Sequence, residues 1–342
     1  MLADQLIECV PNFSEGRDPS KIASIAKAIR GIEDVELLHI DTGYDANRTV
    51  FTLVGQPNAV VEAMIDAFRT SKQLCSMANH LGTHPRLGLL DVCPFIPLRN
   101  ISLAETNKHA LSFARRIGAE FDQTVFLYES SASMPSRRNL ADIRRGEYEG
   151  LERKLKKEDW QPDFGSKTFL PETGATVVGA RPFLIAFNVN LDSKSVPIAQ
   201  SIAKKIRTSG YQKELTPGGL KQRIPGLFPK LKAIGWYVKE YELAQVSMNL
   251  TDYTETGMHE AYEACKRMAK ELGTDVVGSE LIGLVPLEAI LQAGRYYATR
   301  DHTSDRSESS LVKLADKHLG LSALQPFVPE DRIIDYQIRR NI

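Results

Sequence analysis

No stretch of the 342 residues approaches the ~18 uninterrupted apolar positions that a membrane-spanning helix needs, so none is expected. The opening Met-Leu-Ala-Asp carries no basic region leading into an apolar one. No secretory leader is therefore visible, and a cytoplasmic location is expected. Cysteine is scarce. Cys9, Cys75, Cys93 and Cys265 include no CxxC pair, which argues against a disulfide framework or a cysteine zinc site and for reduced, mostly buried thiols. Net charge is lacking as well: 43 Lys and Arg offset 43 Asp and Glu. A neutral chain exerts no global pull on nucleic acid or anionic membrane, so neither is expected as a partner. No short repeat is visible. With 42% hydrophobic and 25% charged residues the chain is globular in composition, and disorder, collagen and coiled coil are excluded as its main architecture.

What is present is alternation. Residues 6–10 form a short apolar run that ends at Pro11 and reads as a strand. Asp18-Pro19 supplies an N-cap and an N1 proline, and Ile22, Ile25, Ala26 and Ile29 follow at helical spacing. Residues 35–40 and 49–54 read as paired strands joined by a long turn. Pro57 opens a second helix, and 89–98 read as the next strand. Ser102 and Glu105 have capping-box spacing, and 124–128 are strand-like. The order β-α-β-β-α-β returns at 183–191, a helix from Ser195, 231–238, 243–249, 254–272 and 275–286. Residues 146–174, 210–230 and 301–310 read as connectors. The expected class is α+β: two ferredoxin-like subdomains, each an antiparallel sheet with helices on one face, over 1–182 and 183–300. A polar loop, helix and tail follow at 301–342. The alternative, one doubly wound sheet, demands a helix between neighbouring parallel strands, which the two adjacent central strands of each half lack.

The stretch His80-Leu81-Gly82-Thr83-His84-Pro85-Arg86-Leu87-Gly88 is the most unusual. His80 and His84 have the i, i+4 spacing of a zinc pair. Gly82 lies between them, no glutamate follows His80, and Pro85 disfavours a helical His84, so the metal reading ranks last. His84 is expected extended, on a loop before a buried strand, where flanking Pro and Gly let a ligand approach.

Taken in order, Asn12-Phe13-Ser14-Glu15-Gly16, Asn47-Arg48-Thr49, His84-Pro85-Arg86, Asp91-Val92-Cys93-Pro94-Phe95-Ile96-Pro97, Asp163-Phe164-Gly165, Gly179-Ala180-Arg181 and Gly235-Trp236-Tyr237 resemble the glutamate formimidoyltransferase family. These enzymes correspond to the N-terminal part of formiminotransferase–cyclodeaminase. The resemblance runs to Arg332-Ile333-Ile334-Asp335-Tyr336 and so covers nearly the whole chain. It implies two ferredoxin-like subdomains with a cleft between them, and transfer of a formimino group from N-formimino-L-glutamate to N5 of tetrahydrofolate. It also implies a homodimer, with no metal. The family's catalytic histidine falls on His84. Its folate segment falls on Gly165, Ser166, Lys167, Thr168, Phe169, Leu170, Pro171, Glu172, Thr173 and Gly174. The chain departs from the family where Thr83 replaces the usual glutamate before the histidine, and where 210–230 looks longer. It ends before the cyclodeaminase portion, so only the transferase activity is expected of it.

The chemistry asks for the same groups. N5 loses a proton as it attacks and the glutamate nitrogen gains one as it leaves, which suits one imidazole. A carboxylate near the cationic formimino carbon favours attack, and Asp41 is the candidate, with a turn-forming role as its alternative. The glutamate carboxylates call for arginine forks; Arg48 and Arg86, with Asn47 beside them, are the candidates, and surface salt bridges are their alternative. Phe169 offers a stacking face or else fills core. Arg137, Arg138, Arg144 and Arg145 form the densest basic cluster; it suits a polyglutamate tail, but a solvated face is the favoured reading. Lys213, Lys221, Arg223, Lys230 and Lys232 are a weaker candidate. Two other functions stay open: formyl transfer or cyclisation with 5-formyl-tetrahydrofolate at the same site, and folate binding without catalysis.

Overall fold

The structure, a computed structural model, describes residues 5–215 and 219–341. The N-terminal tetrapeptide discussed above and residues 216–218 lie outside the described residues. The chain divides into two compact units, 1–182 and 183–342. Among the described residues no helix is long and apolar enough to cross a membrane.

The first unit opens with β1 (Leu6–Cys9) and β2 (Asn12–Phe13), two parts of a strand interrupted at Pro11. Helix α1 (Pro19–Arg30) starts at the expected cap, where the Asp18 carboxylate accepts from Ser20 and Lys21. The strands β3 (Val35–Gly43) and β4 (Arg48–Gly55) follow, then α2 (Pro57–Leu74), β5 (Leu90–Arg99) and α3 (Leu103–Phe121), whose capping box forms between Ser102 and Glu105. After β6 (Thr124–Leu127) come two single-turn helices, α4 (Leu140–Arg144) and α5 (Leu151–Leu155), and β7 (Ala175–Ala180).

The strands β3, β4, β1 and β5 lie side by side in that order, all antiparallel. The expected order ends there. Strand β7, which periodicity did not reveal, pairs parallel with β5, and β6 pairs parallel with β7. Along β7 the side chains alternate: Val178 joins the core beneath α1 to α3, whereas Val177 joins a second cluster with Phe126, Tyr128, Ile143, Leu151 and Leu155. The helices therefore do not keep to one face here. Apolar residues on the far side of β6 and β7 need cover, and α4, just before the stretch expected to be a connector, and α5, inside it, supply part of it. Cys9 and Cys93 bring their thiols to 3.5 Å on neighbouring strands of the first core.

The second unit begins with β8 (Ile185–Leu191), α6 (Val196–Ile206) and an exposed hairpin, β9 (Tyr211–Glu214) with β10 (Lys221–Ile224), within the expected connector. Then come β11 (Leu231–Val238), β12 (Leu243–Leu250), α7 (Met258–Glu271), β13 (Val276–Ile282) and α8 (Leu287–Arg300). Helices α9 (Glu308–Leu319), α10 (Pro329–Arg332) and α11 (Ile334–Asn341) close the unit. The sheet order is β11-β12-β8-β13, entirely antiparallel. Val312, Ala315 and Leu319 of α9, with Ile333, share one core with the strands and with α6, α7 and α8.

Candidate active site

The loop carrying His84 is held from below by the β3–β4 turn. Asn47 adopts a left-handed backbone (φ 48°), which an Asn side chain tolerates, and its amide spans two segments. It accepts from the Gly16 amide (2.9 Å) and donates to the Leu81 carbonyl (3.1 Å). The Asn47 carbonyl accepts from His80 Nε2 (2.8 Å), and the Thr83 amide donates to the Asp45 carbonyl. Gly82 packs so tightly here that an added Cβ would lie 2.1 Å from the Ala46 carbonyl oxygen.

His80 uses both ring nitrogens within the protein, since Nδ1 accepts from Arg86 Nε (3.3 Å). It is a structural pin, with no nitrogen left for a metal. Arg86, buried, also spends its fork internally: Nη2 donates to the His80 carbonyl and to Glu149 Oε1 (2.6 Å), Nη1 to Glu149 Oε2 (3.0 Å). Its donors serve the loop's shape.

His84 is different. Its Nδ1 lies 2.7 Å from the Pro85 carbonyl oxygen, which can only accept, so Nδ1 carries the hydrogen and Nε2 keeps its lone pair. Burial, then the guanidinium charges of Arg48 and Arg144, lower its pKa from 6.5 to about 4, against the Pro85 hydrogen bond and Asp91. At neutral pH it is an uncharged imidazole with one nitrogen available as a base.

Beside it lies an ionic group that sequence reasoning did not assemble. Asp91, fully buried on β5, receives Arg48 Nη1 and Arg144 Nη2 at 2.5 Å each on the same oxygen, Oδ2. The Leu87 amide donates to Oδ1 (2.8 Å), and Arg48 Nε donates to Asn12 Oδ1 (3.0 Å). Burial pushes the Asp91 carboxyl up, but Arg144, Arg48 and these bonds together hold it down at about 2. A lone carboxylate inside an apolar strand was the available signal for Asp91. For Arg144 there was none, because its neighbour Arg145, the same residue type in the same run, is 80% exposed and pairs with Asp142. The solvated reading of that basic cluster holds for Arg138 and Arg145 but not for Arg144 or Arg137. Arg137 is buried against Asp163 (2.9 Å) and the Asp159 and Gln161 carbonyls, and lies over the Phe126 and Trp160 rings.

Asp41 lies inside β3, opposite Val50, and not in a turn. Its neighbour Ile40 packs on the core, so alternation puts Asp41 on the other face of the sheet, exposed. The segment 165–174 is tied down at both ends. Gly165 and Gly174 have φ of 74° and 60°, a conformation that favours glycine. The Ser166 amide and carbonyl bond Asp122 and Thr124, and the Ser166 and Thr168 hydroxyls bond each other. Thr173 and Gly174 flank Leu89 and Gly88, just beyond His84. Phe169, half-buried, meets Tyr148 at 5.3 Å, the Tyr148 hydroxyl donates to the Pro171 carbonyl, and the Leu170 carbonyl accepts from the Gly174 amide. Lys167 is exposed, as is Glu172, which pairs with Ser76. Glu8, on β1, was also missed: it is 3% exposed, and burial, opposed by Arg181, pushes its carboxyl up to about 7.

Residues 6–181 match the family described as "Formiminotransferase domain, N-terminal subdomain", and residues 186–339 match "Formiminotransferase domain". The chain is 47% identical over 339 residues to a formimidoyltransferase-cyclodeaminase of Dictyostelium discoideum, covering 99% of this chain and 61% of that one. It is 48% identical to the protein of the same name in Rattus norvegicus, over 98% of this chain and 60% of that one. The chain thus spans about three-fifths of these relatives' length. A glutamate formimidoyltransferase of Streptococcus pyogenes serotype M1 is 40% identical over 86% of this chain and 93% of its own length. With both halves matched, and with a relative of similar extent aligned almost end to end, the chain belongs to the formiminotransferase family.

Proposed function

We propose that this chain moves the formimino group of N-formimino-L-glutamate onto N5 of tetrahydrofolate, releasing L-glutamate. The observation that carries this is the neutral His84, with Nε2 unshared, beside a buried arginine pair. As the N5 lone pair attacks the formimino carbon, N5 becomes cationic and acidic, so even a weakly basic imidazole takes its proton. The imidazolium so formed is a correspondingly strong acid, and it returns the proton to the glutamate nitrogen as the C–N bond breaks. Asp41 is proposed to stabilise the cationic carbon, Arg48 to hold substrate, and Asn47 and Arg86 to set the loop. Residues 165–174, with Phe169 against Tyr148 and Lys167 exposed, are proposed to receive tetrahydrofolate as co-substrate.

In the same reading the two units are ferredoxin-like subdomains meeting at 182/183. The shared order of second, third, first and fourth strand supports this in each. A cytoplasmic homodimer is proposed from the family resemblance, and the four free thiols suit a reducing compartment. The test is spectrophotometric: 5-formimino-tetrahydrofolate should accumulate when purified protein meets both substrates, and faster than any product from a formyl donor. Folate binding without turnover would overturn the enzymatic reading.

A further inference from the structure

Counting charge around Asp91 leaves a surplus. Two guanidiniums, Arg48 and Arg144, share one carboxylate oxygen, and the side chains are 8%, 15% and 0% exposed. A buried group of this kind is costly unless every charge has a partner. Arg144 also keeps a donor unspent, because its Nε is buried and has no hydrogen-bond partner among the described residues. A cleft of about 580 Å³ is lined by Gly82 and Thr83, which precede His84 in sequence, and by Gly146 and Glu147, which follow Arg144, with Asp45 and Glu149 adding carboxylates to its wall.

We propose that Arg144, together with Arg48, is the receptor for a glutamyl carboxylate, a role that Arg86, whose fork is closed on Glu149, does not fill. This rests on the formimidoyltransferase reading and assigns its anion site. An arriving carboxylate supplies the missing negative charge and an acceptor for Arg144 Nε, so specificity for a glutamyl group comes from Arg144. Both substrates of the proposed reaction carry such a group, the amino-acid donor and the folate tail.

A consequence reaches His84. The groups acting on it are Arg48 from β4, Arg144 from α4, Asp91 from β5 and its own Pro85 carbonyl. In the free protein the two arginines help to depress it. A bound carboxylate cancels part of that field, so substrate raises the basicity of the group that must take the N5 proton. By linkage the protonated imidazole must also tighten anion binding by the same factor.

The experiment pairs kinetics with NMR. Arg144→Gln should raise KM about 10–100-fold for whichever substrate places its carboxylate there, formiminoglutamate or tetrahydrofolate, and leave the other near wild type. Arg144→Lys should do so less, and Arg145→Gln not at all. In wild type, saturation with L-glutamate or with 5-formyl-tetrahydrofolate should raise the His84 pKa, read from its ring proton, by about a unit, a tenfold linkage. The probe that does so should match the substrate whose KM moved. If both KM values stay put in an active Arg144→Gln, or neither ligand moves His84, the proposal falls while the transferase reading stands. If wild type is inactive with both substrates, that reading falls, and the NMR titration still decides the anion site. Should Arg144→Gln not fold, the wild-type titration and Arg144→Lys carry the test alone.

Discussion

At the scale of single residues, acid–base work and stability draw on the same shifted groups. His84→Ala should lower kcat by roughly 10²–10⁴, the worth of one acid–base group, with Tm little changed because a loop imidazole carries little core. The acidic limb of kcat/KM, which reports the free enzyme, should lie near about 4 and not near the ordinary 6.5. The same depression links His84 to folding: the unfolded chain binds its proton first, so this contribution is complete above about pH 6.5 and is lost as pH falls towards about 4. Asp91 repeats the pattern lower, between its ordinary 3.8 and about 2. Asp91→Asn, which leaves two arginines facing each other, should destabilise by roughly 3–5 kcal/mol in urea titration. Glu8 runs the other way. Held protonated up to about 7, it costs stability as pH rises from 4.5 through that value, so the Tm gain of Glu8→Gln over wild type should grow between pH 5 and pH 8. An equal gain at both pH values would show that Glu8 does not titrate in this window.

At the scale of elements, the loop carrying His84 is positioned by backbone contact. Gly82→Ala places a methyl against the Ala46 carbonyl, and carbonyl and loop cannot both stay. Activity should fall at least tenfold while far-UV circular dichroism is unchanged; wild-type turnover would mean that the loop tolerates the shift. This seam between the β3–β4 turn and the 80–84 loop shows where legibility ended. The caps at Asp18 and Ser102, the apolar spacing of α1 and the pairing of β3 with β4 are local signals and could be read directly. The loop histidine was legible too, because proline and glycine punctuate it. Strand β7 was not, because six residues between Gly174 and Arg181-Pro182 become a strand only by inserting between β5 and β6. Nor was the meeting of Arg144 with Asp91, 53 positions apart, which α4 produces and no spacing rule encodes. Asp41, read at the end of a strand, lies within it, since the β3–β4 ladder runs on to Gly43 and shortens the turn.

At the scale of the molecule, each hydrophobic cluster draws its buried members from one unit. The fragment 1–182 should therefore melt cooperatively by itself, with native-like circular dichroism; a non-cooperative melt would show that its core is not self-sufficient. The insertion of β7 has a consequence for synthesis. Strand β6 leaves the ribosome about 50 residues ahead of the neighbour it needs, and at roughly 5–20 residues per second it waits several seconds. For that interval the outer edge of β5 is open to any other nascent chain. Phe95 turns its carbonyl to that edge, where it later accepts from the Arg181 amide, and Pro97, two positions on, shares the edge and has no amide hydrogen to offer a stranger. Pro97 is thus expected to guard an unfinished sheet, and replacing it should reveal itself in expression yield and inclusion bodies before it is felt in the finished protein.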